Sequence, residues 1–237
     1  MSVFRLQSDR GDSCMPEKTI APLEGWQRLK AFLHLWVVDH GFLRLPYENF
    51  HKLPGPLYRT NQPSPSKIKK YKRKYGIKTI INLRGENPGL GLYELEFETC
   101  QNLGIRLVDL RVYSRAPPSK EVLHQMKQVI ETMELPAVAH CKSGADRGGL
   151  FAVMYRHIRL GHPIEEAIQE LHWTYGHVKG AKTGILDYVF DCYLRERRDG
   201  QSFMDWVDQD YDRERIRAEF KPKGWAQFFV DVILRRE

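Results

Sequence analysis

The chain has 237 residues, 42% of them hydrophobic, and its 37 Lys and Arg against 30 Asp and Glu give a net charge of +7. This composition supplies a core and excludes global disorder, and no run approaches the roughly 20 apolar residues of a membrane span. Met1 to Asp12 mixes charges of both signs with no apolar stretch, so no signal peptide and a cytoplasmic location are expected.

The predicted elements follow in chain order. Residues 1–24 read as an irregular leader with Pro16 and Pro22. Gly25 to Val38 reads as a helix whose apolar face is Trp26, Leu29, Phe32, Leu33, Trp36 and Val37. Phe42 to Pro56 is loop-like, and Leu57 to Gln62 is a first strand. Pro63-Ser64-Pro65-Ser66 then offers capping serines and a first-turn proline to a helix. That helix holds Ile68, Tyr71 and Tyr75 on one stripe and stops at Gly76. Ile77 to Leu83 is a β-branched strand, Tyr93 to Leu103 a helix closed by Gly104, and Ile105 to Val112 a strand. Ser119 to Met133 is a helix capped by Ser119 with Glu121 in its first turn, and Pro136 to His140 is a short apolar strand. Leu150 to Leu160, Pro163 to Tyr175, Thr183 to Arg197, Phe203 to Phe220 and Trp225 to Arg236 read as helices. The alternation of strands and helices predicts an α/β fold, a mostly parallel central sheet flanked by helices, with helical N- and C-terminal extensions.

The charge surplus is local. Between Leu57 and Arg84 stand Arg59, Lys67, Lys69, Lys70, Lys72, Arg73, Lys74, Lys78 and Arg84 with no acid, so nine of the positive charges sit here and the rest of the chain, at +7 less 9, carries −2. The bland reading is a solvated helix face. The sharper one is a landing face for an anionic substrate or a membrane. No zinc-finger spacing, RNA-binding signature or basic zipper accompanies it, so a nucleic-acid partner is not expected.

Cys14, Cys100, Cys141 and Cys192 are far apart and form no Cys-x-x-Cys pair, which suits reduced thiols in a reducing compartment. Cys14, Cys100 and Cys192 read as packing or surface residues. The nine histidines make no ligand pair with a nearby acid, so no metal and no other cofactor is expected.

The chemistry is carried by one loop. The strand Pro136 to His140 runs into Cys141-Lys142-Ser143-Gly144-Ala145-Asp146-Arg147-Gly148-Gly149, and an apolar helix follows at once. A strand–loop–helix of this kind binds phosphate: successive N–H groups curve round an anion, and the helix N-terminus adds its positive end. Arg147 can add a two-pronged hydrogen bond, with the backbone of Lys142, Ser143, Gly144, Ala145, Asp146 and Arg147 as the cradle. The same field favours a thiolate at Cys141, placed to attack phosphorus and form a phosphocysteine that water releases.

His140-Cys141 and, after five intervening residues, Arg147 resemble the signature of the cysteine-based tyrosine and dual-specificity phosphatase superfamily. HCKSGADR is especially similar to the loop of bacterial dual-specificity-type members. Tyr58-Arg59-Thr60-Asn61-Gln62-Pro63 and Gly76 to Arg84 resemble that subgroup too, and the helical tail is similar to that of proteobacterial members. The resemblance covers about residues 57–175 and implies a phosphatase domain over 57–178, preceded by a leader and helix (1–56) and followed by a helical extension packed on it (179–237). It implies Cys141 as nucleophile and Arg147 as phosphate ligand. The implied substrate is a phosphorylated protein. Alternatives are a phosphorylated lipid or inositol at a membrane surface, suggested by Lys142 and the basic helix, and a phosphate-binding pseudophosphatase. The aromatic-rich flanking helices are expected to pack on the domain, with peripheral membrane contact as their other reading. Nothing in the sequence sets the oligomeric state.

Two departures stand out. The family places Ser or Thr after the signature Arg, where a hydroxyl helps release phosphate; here Gly148 stands there, with Ser143 as a substitute. The family also carries an acidic residue on a loop over the cradle, whereas Val112 to Pro118 has none. Asp109 and Asp146 are then the candidate acids, each with a structural reading beside the catalytic one. Arg84 and Arg115 are expected on loops at the carboxyl end of the sheet, Gly85 to Gly91 as a rim, and His140 as a residue orienting the cradle.

Overall fold

The computed structural model describes residues 25–26, 48–88 and 91–224. The leader, most of the helix expected from Gly25 and the helix expected from Trp225 lie outside the described residues, as do 89 and 90 of the expected rim. Gly25 and Trp26 are helical.

Five strands form one sheet in the order β1-β2-β5-β3-β4. They are β1 (His51–Lys52), β2 (Leu57–Thr60), β3 (Thr79–Asn82), β4 (Arg106–Asp109) and β5 (Ala137–His140). β1 runs antiparallel to β2, and all other neighbours are parallel. Four helices alternate with the strands: α1 (Pro65–Tyr75), α2 (Gly91–Asn102), α3 (Lys120–Thr132) and α4 (Asp146–Ile158). The central strands β3 and β5 are buried at every position, as expected of parallel strands covered on both faces.

The strand period of two sorts their side chains. Ile80 and Val138 join Ile68 and Tyr71 of α1 and Cys100 of α2 in a small core. Ile81, Ala137 and Ala139 join Leu123 and Met126 of α3 and Phe151 of α4 in a larger one. Each large apolar side chain so buried contributes roughly 1.5–3 kcal/mol. The α1 stripe is as expected: Ile68 and Tyr71 are fully buried, Tyr75 is half-buried, and Lys69, Lys70, Arg73 and Lys74 are exposed. Ser64 caps the helix, Pro65 opens it, and Gly76 closes it at φ +65°. Ser119 likewise caps α3.

The C-terminal part departs from expectation in two places. The stretch read as one helix over Pro163 to Tyr175 is a short α5 (Ile164–Ala167) and two single 3-10 turns, Ile168–Glu170 and Trp173–Tyr175. Glu170 turns inward as the partner of two arginines, and Leu171 packs in the large core. These long-range contacts override local helix propensity. The stretch read as one helix over Phe203 to Phe220 is α7 (Phe203–Gln209) and α8 (Arg213–Glu219). Between them Tyr211 points inward to donate to Pro118 O at 2.5 Å, and Asp212 caps α8 by accepting from Arg215 N. With α6 (Ile185–Glu196) these helices share the large core of the sheet, through Phe190, Phe203, Trp206 and Ile216. Strand β1 falls where a loop is expected; two residues paired to Arg59 and Tyr58 are too short a run to show as periodicity.

Candidate active site

The cradle joins β5 to α4. Cys141, 1% exposed, follows His140 at its base, and Gly144 N donates to Cys141 Sγ at 3.2 Å. What shapes the loop is where its carbonyls go. Lys142 O accepts from Gln62 N at 3.3 Å, and Ser143 O from Asn49 Nδ2 at 2.8 Å. Gly144 O and Ala145 O accept from Arg59 Nη2 at 3.0 and 2.7 Å. Four successive carbonyls are thus drawn to an outer ring of donors. Planar trans peptides carry N–H opposite C=O, so the N–H groups of Ser143, Gly144, Ala145 and Asp146 face the other way, as the Gly144 contact with sulfur shows. Such an arrangement can hold an anion beside the Cys141 sulfur, at the start of a 13-residue helix.

Gly144 permits this geometry. Its φ is +77°, and a Cβ there would sit 2.6 to 2.8 Å from the Thr60 and Asn61 backbone. The loop therefore presses directly against the end of β2.

Arg59 is the largest element of the outer ring and is wholly buried. Beside its two loop carbonyls it donates to Glu170 O at 2.8 Å, lies 3.3 Å from Glu170 Oε2, and stacks 4.1 Å from the Tyr175 ring. Burial pulls its pKa below the ordinary value, against the charge and hydrogen bond of Glu170. Glu170 also takes Arg156 at 3.3 Å, so its buried carboxylate serves two cations. Asn49 binds Tyr175 O as well, at 3.0 Å, which seats the 173–175 turn beside Ser143.

A second network lies on the β3 side. His140 Nε2 is 2.7 Å from Glu96 Oε1, and Gln62 Nε2 donates to Glu96 Oε2 at 3.0 Å. Arg84 Nη1 donates to Gln62 Oε1 at 2.8 Å. His140, wholly buried, is thus held beside the Glu96 carboxylate by proximity rather than by an aligned hydrogen bond, and Arg84 lies just past the carboxyl end of β3.

The structure places the two candidate acids differently. Asp146 opens α4 within the cradle, and its Oδ1 lies 2.7 Å from His177 Nδ1. Asp109 ends β4, level with Asn82, which is level with His140. Two strand spacings, about 10 Å, therefore separate Asp109 from His140. Asp109 Oδ2 accepts from Tyr93 OH at 2.6 Å and Oδ1 from Asn82 Nδ2 at 2.9 Å; burial and Asp109 together push the Tyr93 pKa up. Lys142 and Ser143 are half-exposed, Ala145 is buried, and Ser143 Oγ accepts from Ala145 N at 3.4 Å. A Cβ at Gly148 would meet nothing nearer than the Arg59 guanidinium at 3.8 Å.

The basic end of α1 points elsewhere. The loop before α1 touches the cradle through Gln62, but beyond Gly76 Lys78 N donates to Pro136 O, ahead of β5. The last turn of α1, Lys72 to Lys74, thus leads to the opposite end of the sheet, while Lys70 pairs with Glu48 at 3.4 Å. Asn49, Glu170 and His177 were invisible as site residues, because their partners lie 94, 111 and 31 residues away. Arg59, Gln62 and Arg84 fall in segments that the resemblance picks out. Among the described residues no cluster of His, Cys, Asp or Glu is placed to hold a metal ion, and no helix is long and apolar enough to cross a membrane.

Known proteins resemble this chain in sequence and fold. The dual specificity protein phosphatases TpbA of two Pseudomonas aeruginosa strains are 27% and 26% identical over 127 and 133 residues, 53% and 55% of this chain. The chain spans about half the length of these relatives, 54% and 57%. A crystal structure of P. aeruginosa TpbA in complex with phosphotyrosine matches the fold with a TM-score of 0.50 at 22% identity, over 74% of this chain and 93% of that one. The family of the DSP-PTPase phosphatase fused to NAD+ kinase matches residues 54–183, more than half of the sequence and the whole of the cradle with Arg59 and Gln62 of its outer ring, and the chain belongs to that family.

Proposed function

We propose that this chain is a cysteine-dependent phosphomonoesterase that acts on aryl phosphates, with phosphotyrosine in a protein as the substrate class. The observation that carries the reading is the loop itself: four carbonyls tied outward, their N–H groups turned to the other side, and Cys141 Sγ within 3.2 Å of one of them. Cys141 attacks phosphorus as a thiolate; the S–P bond forms as the P–O bond to the leaving group breaks, and the leaving oxygen keeps the electron pair. Water then attacks phosphorus, the S–P bond breaks, the thiolate returns, and phosphate departs with the proton balance made by solvent. Arg147 and the inward N–H groups hold the charge that builds on the phosphoryl oxygens.

The leaving group selects the substrate. Asp146 is engaged by His177, and Asp109 by Tyr93 and Asn82. With both carboxylates so occupied, we assign them to scaffolding, and departure relies on the leaving group's own acidity. A phenol, pKa about 10, leaves far more readily than an alkyl alcohol. This supports phosphotyrosine over phosphoserine and over lipid or inositol phosphates. The TpbA relatives are named dual specificity phosphatases, and one of them binds phosphotyrosine in its crystal structure. For the lipid alternative Lys142 stands at the cradle, but the basic last turn of α1 leads away from it.

The test is purified protein, wild type against Cys141→Ser, on a series of aryl phosphates, a phosphotyrosine peptide and phospholipid vesicles. Turnover that needs Cys141 and falls steeply as leaving-group pKa rises supports the reading. Turnover no better than that of the serine variant on every ester removes the enzyme reading and leaves a phosphate-binding module. Turnover insensitive to leaving-group pKa returns Asp109 or Asp146 to the role of acid.

A further inference from the structure

Behind the cradle lies a buried array that the chemistry above does not use. His177 is 1% exposed. Its Nδ1 lies 2.7 Å from Asp146 Oδ1 and its Nε2 2.6 Å from Asp187 Oδ2. Both carboxylates are themselves buried, at 5% and 2% exposure. Asp146 stands in the first turn of α4, and Asp187 in the first turn of α6. A single imidazole thus ties together the N-termini of two helices that are otherwise separate elements of the core.

Proton counting sets its state. An ionised carboxylate only accepts hydrogen bonds, and a neutral imidazole has one N–H. Two contacts of this length to two carboxylates therefore call for the doubly protonated ring. Burial works against that charge, but the hydrogen bonds and charges of Asp146 and Asp187 outweigh it, and the His177 pKa is pushed up to about 9. The charged groups facing the ring are Asp146 from α4 and Asp187 from α6; Lys179, two residues on, turns outward to Asp191 at 3.0 Å. One imidazolium between two carboxylates leaves one net negative charge. Two helix N-termini, each worth about half a positive charge, offset it. The array is therefore balanced where it stands, and it would not be balanced in the middle of a helix.

We infer that His177 and Asp187 form a charged brace that fixes the first turn of α4 and through it the aim of Arg147, which makes His177 a positioning residue for oxyanion binding. The inference rests on the phosphatase reading for its meaning but on geometry for its content. Asp146 shares its backbone with the cradle on one side and with Arg147 on the other, and its N–H is one of the four turned away from the outer ring. Arg59 pulls the 144 and 145 carbonyls from one side, and the brace holds the Asp146 side chain from another. Loss of the brace leaves the loop tied at its carbonyls but not at the helix turn that carries the guanidinium. Phosphate affinity should then suffer before the chemical step does.

The test uses the full chain and tungstate as an oxyanion probe. Wild type, His177→Gln and Asp187→Asn are compared by calorimetric titration with tungstate at pH 7 and 9.5, by kcat and KM on nitrophenyl phosphate from pH 5 to 10, and by Tm. His177→Gln is expected to fold, to bind tungstate at least tenfold more weakly at pH 7, and to show the loss in KM more than in kcat. Wild-type affinity should fall between pH 7 and 9.5, and Asp187→Asn should move that fall to lower pH by a unit or more. A folded His177→Gln variant that binds tungstate within twofold of wild type overturns the brace. Should that variant not fold, Asp187→Asn decides, and an unmoved pH dependence overturns it. A wild type that binds tungstate but cleaves no ester sinks the phosphatase reading and leaves the brace standing on its binding data; a wild type that does not bind tungstate sinks both.

Discussion

Two adjacent glycines after Arg147 look alike in sequence but not in space, and the first gives a sharp test of turnover. A Cβ on Gly149 would lie 2.7 Å from Leu171 Cδ2 and 3.0 Å from Glu170 O, so a side chain there forces both neighbours to shift. A Cβ on Gly148 would lie 3.8 Å from the Arg59 guanidinium, ordinary contact distance. Gly148→Ser is therefore accommodated, and as the third residue of α4 it should stabilise the fold by about 0.5 kcal/mol through helix propensity. It also returns the hydroxyl that related phosphatases carry after the signature Arg. A hydrogen bond to the sulfur as it regains its charge is worth about 1.5–3 kcal/mol, which is roughly 10- to 100-fold in the rate of phosphocysteine hydrolysis. Rapid-quench measurement with nitrophenyl phosphate reads this directly. Wild type should release a burst of nitrophenol approaching one per Cys141, followed by slow turnover. Gly148→Ser should lose the burst and raise kcat until phosphorylation limits. A wild type with no burst, or a folded serine variant with unchanged kcat, refutes the idea that the missing hydroxyl slows the enzyme.

The other expectations are briefer. Gly144→Ala puts a methyl group against the Thr60 and Asn61 backbone at φ +77°, so a loss of a few kcal/mol in urea denaturation, together with lost tungstate binding, is expected; wild-type behaviour would contradict the close approach. Arg59→Lys keeps the charge but not the fork that spans two carbonyls and Glu170; about 3 kcal/mol or more of stability should go, and a Tm within a degree or two of wild type would contradict its role. His177 has its pKa raised in the folded state, so its stabilisation is complete below pH 6.5 and disappears as pH climbs through about 9. That is on the order of 3 kcal/mol, read as the difference between wild-type and His177→Gln unfolding free energies at pH 6 and pH 10. Lys69→Glu with Arg73→Glu, both exposed on α1, should leave kcat/KM on nitrophenyl phosphate within twofold because solvent-exposed charges are screened by salt; a tenfold fall would place the basic face near the substrate path.

What could be read from the sequence was what neighbours in the chain decide together. The buried strand Ala137 to His140, the Cys-to-Arg loop and the helix after it form one continuous segment, so periodicity and loop composition suffice to place a strand–loop–helix there. Ser64, Pro65 and Gly76 bracket α1 for the same reason. The segment from Pro163 to Tyr175 failed that approach. Its apolar spacing suits a helix, but Glu170 is drawn inward by Arg59 from 111 residues away and Arg156 from 14, and the helix ends for their sake. Helix breaks of this kind leave no local trace, since the residue responsible belongs to a distant strand.

The same asymmetry governs the site. A nest of N–H groups is useless unless its carbonyls are held away from the anion, and nothing inside Cys141 to Arg147 can hold them. The holding is done by Asn49, Arg59 and Gln62, which reach the loop because β2 is the parallel neighbour of β5 in register Thr60 to His140. A Cys-to-Arg loop on a chain lacking that neighbour would carry the signature without the cradle. The outer ring is thus the better guide to phosphate binding in this fold, and Arg59, buried with its donors spread over the loop and Glu170, is the position at which the two would come apart. Arg59→Ala with Cys141 and Arg147 untouched should therefore abolish tungstate binding in a protein that retains its far-ultraviolet signal, whereas retained binding would show that the loop shapes itself.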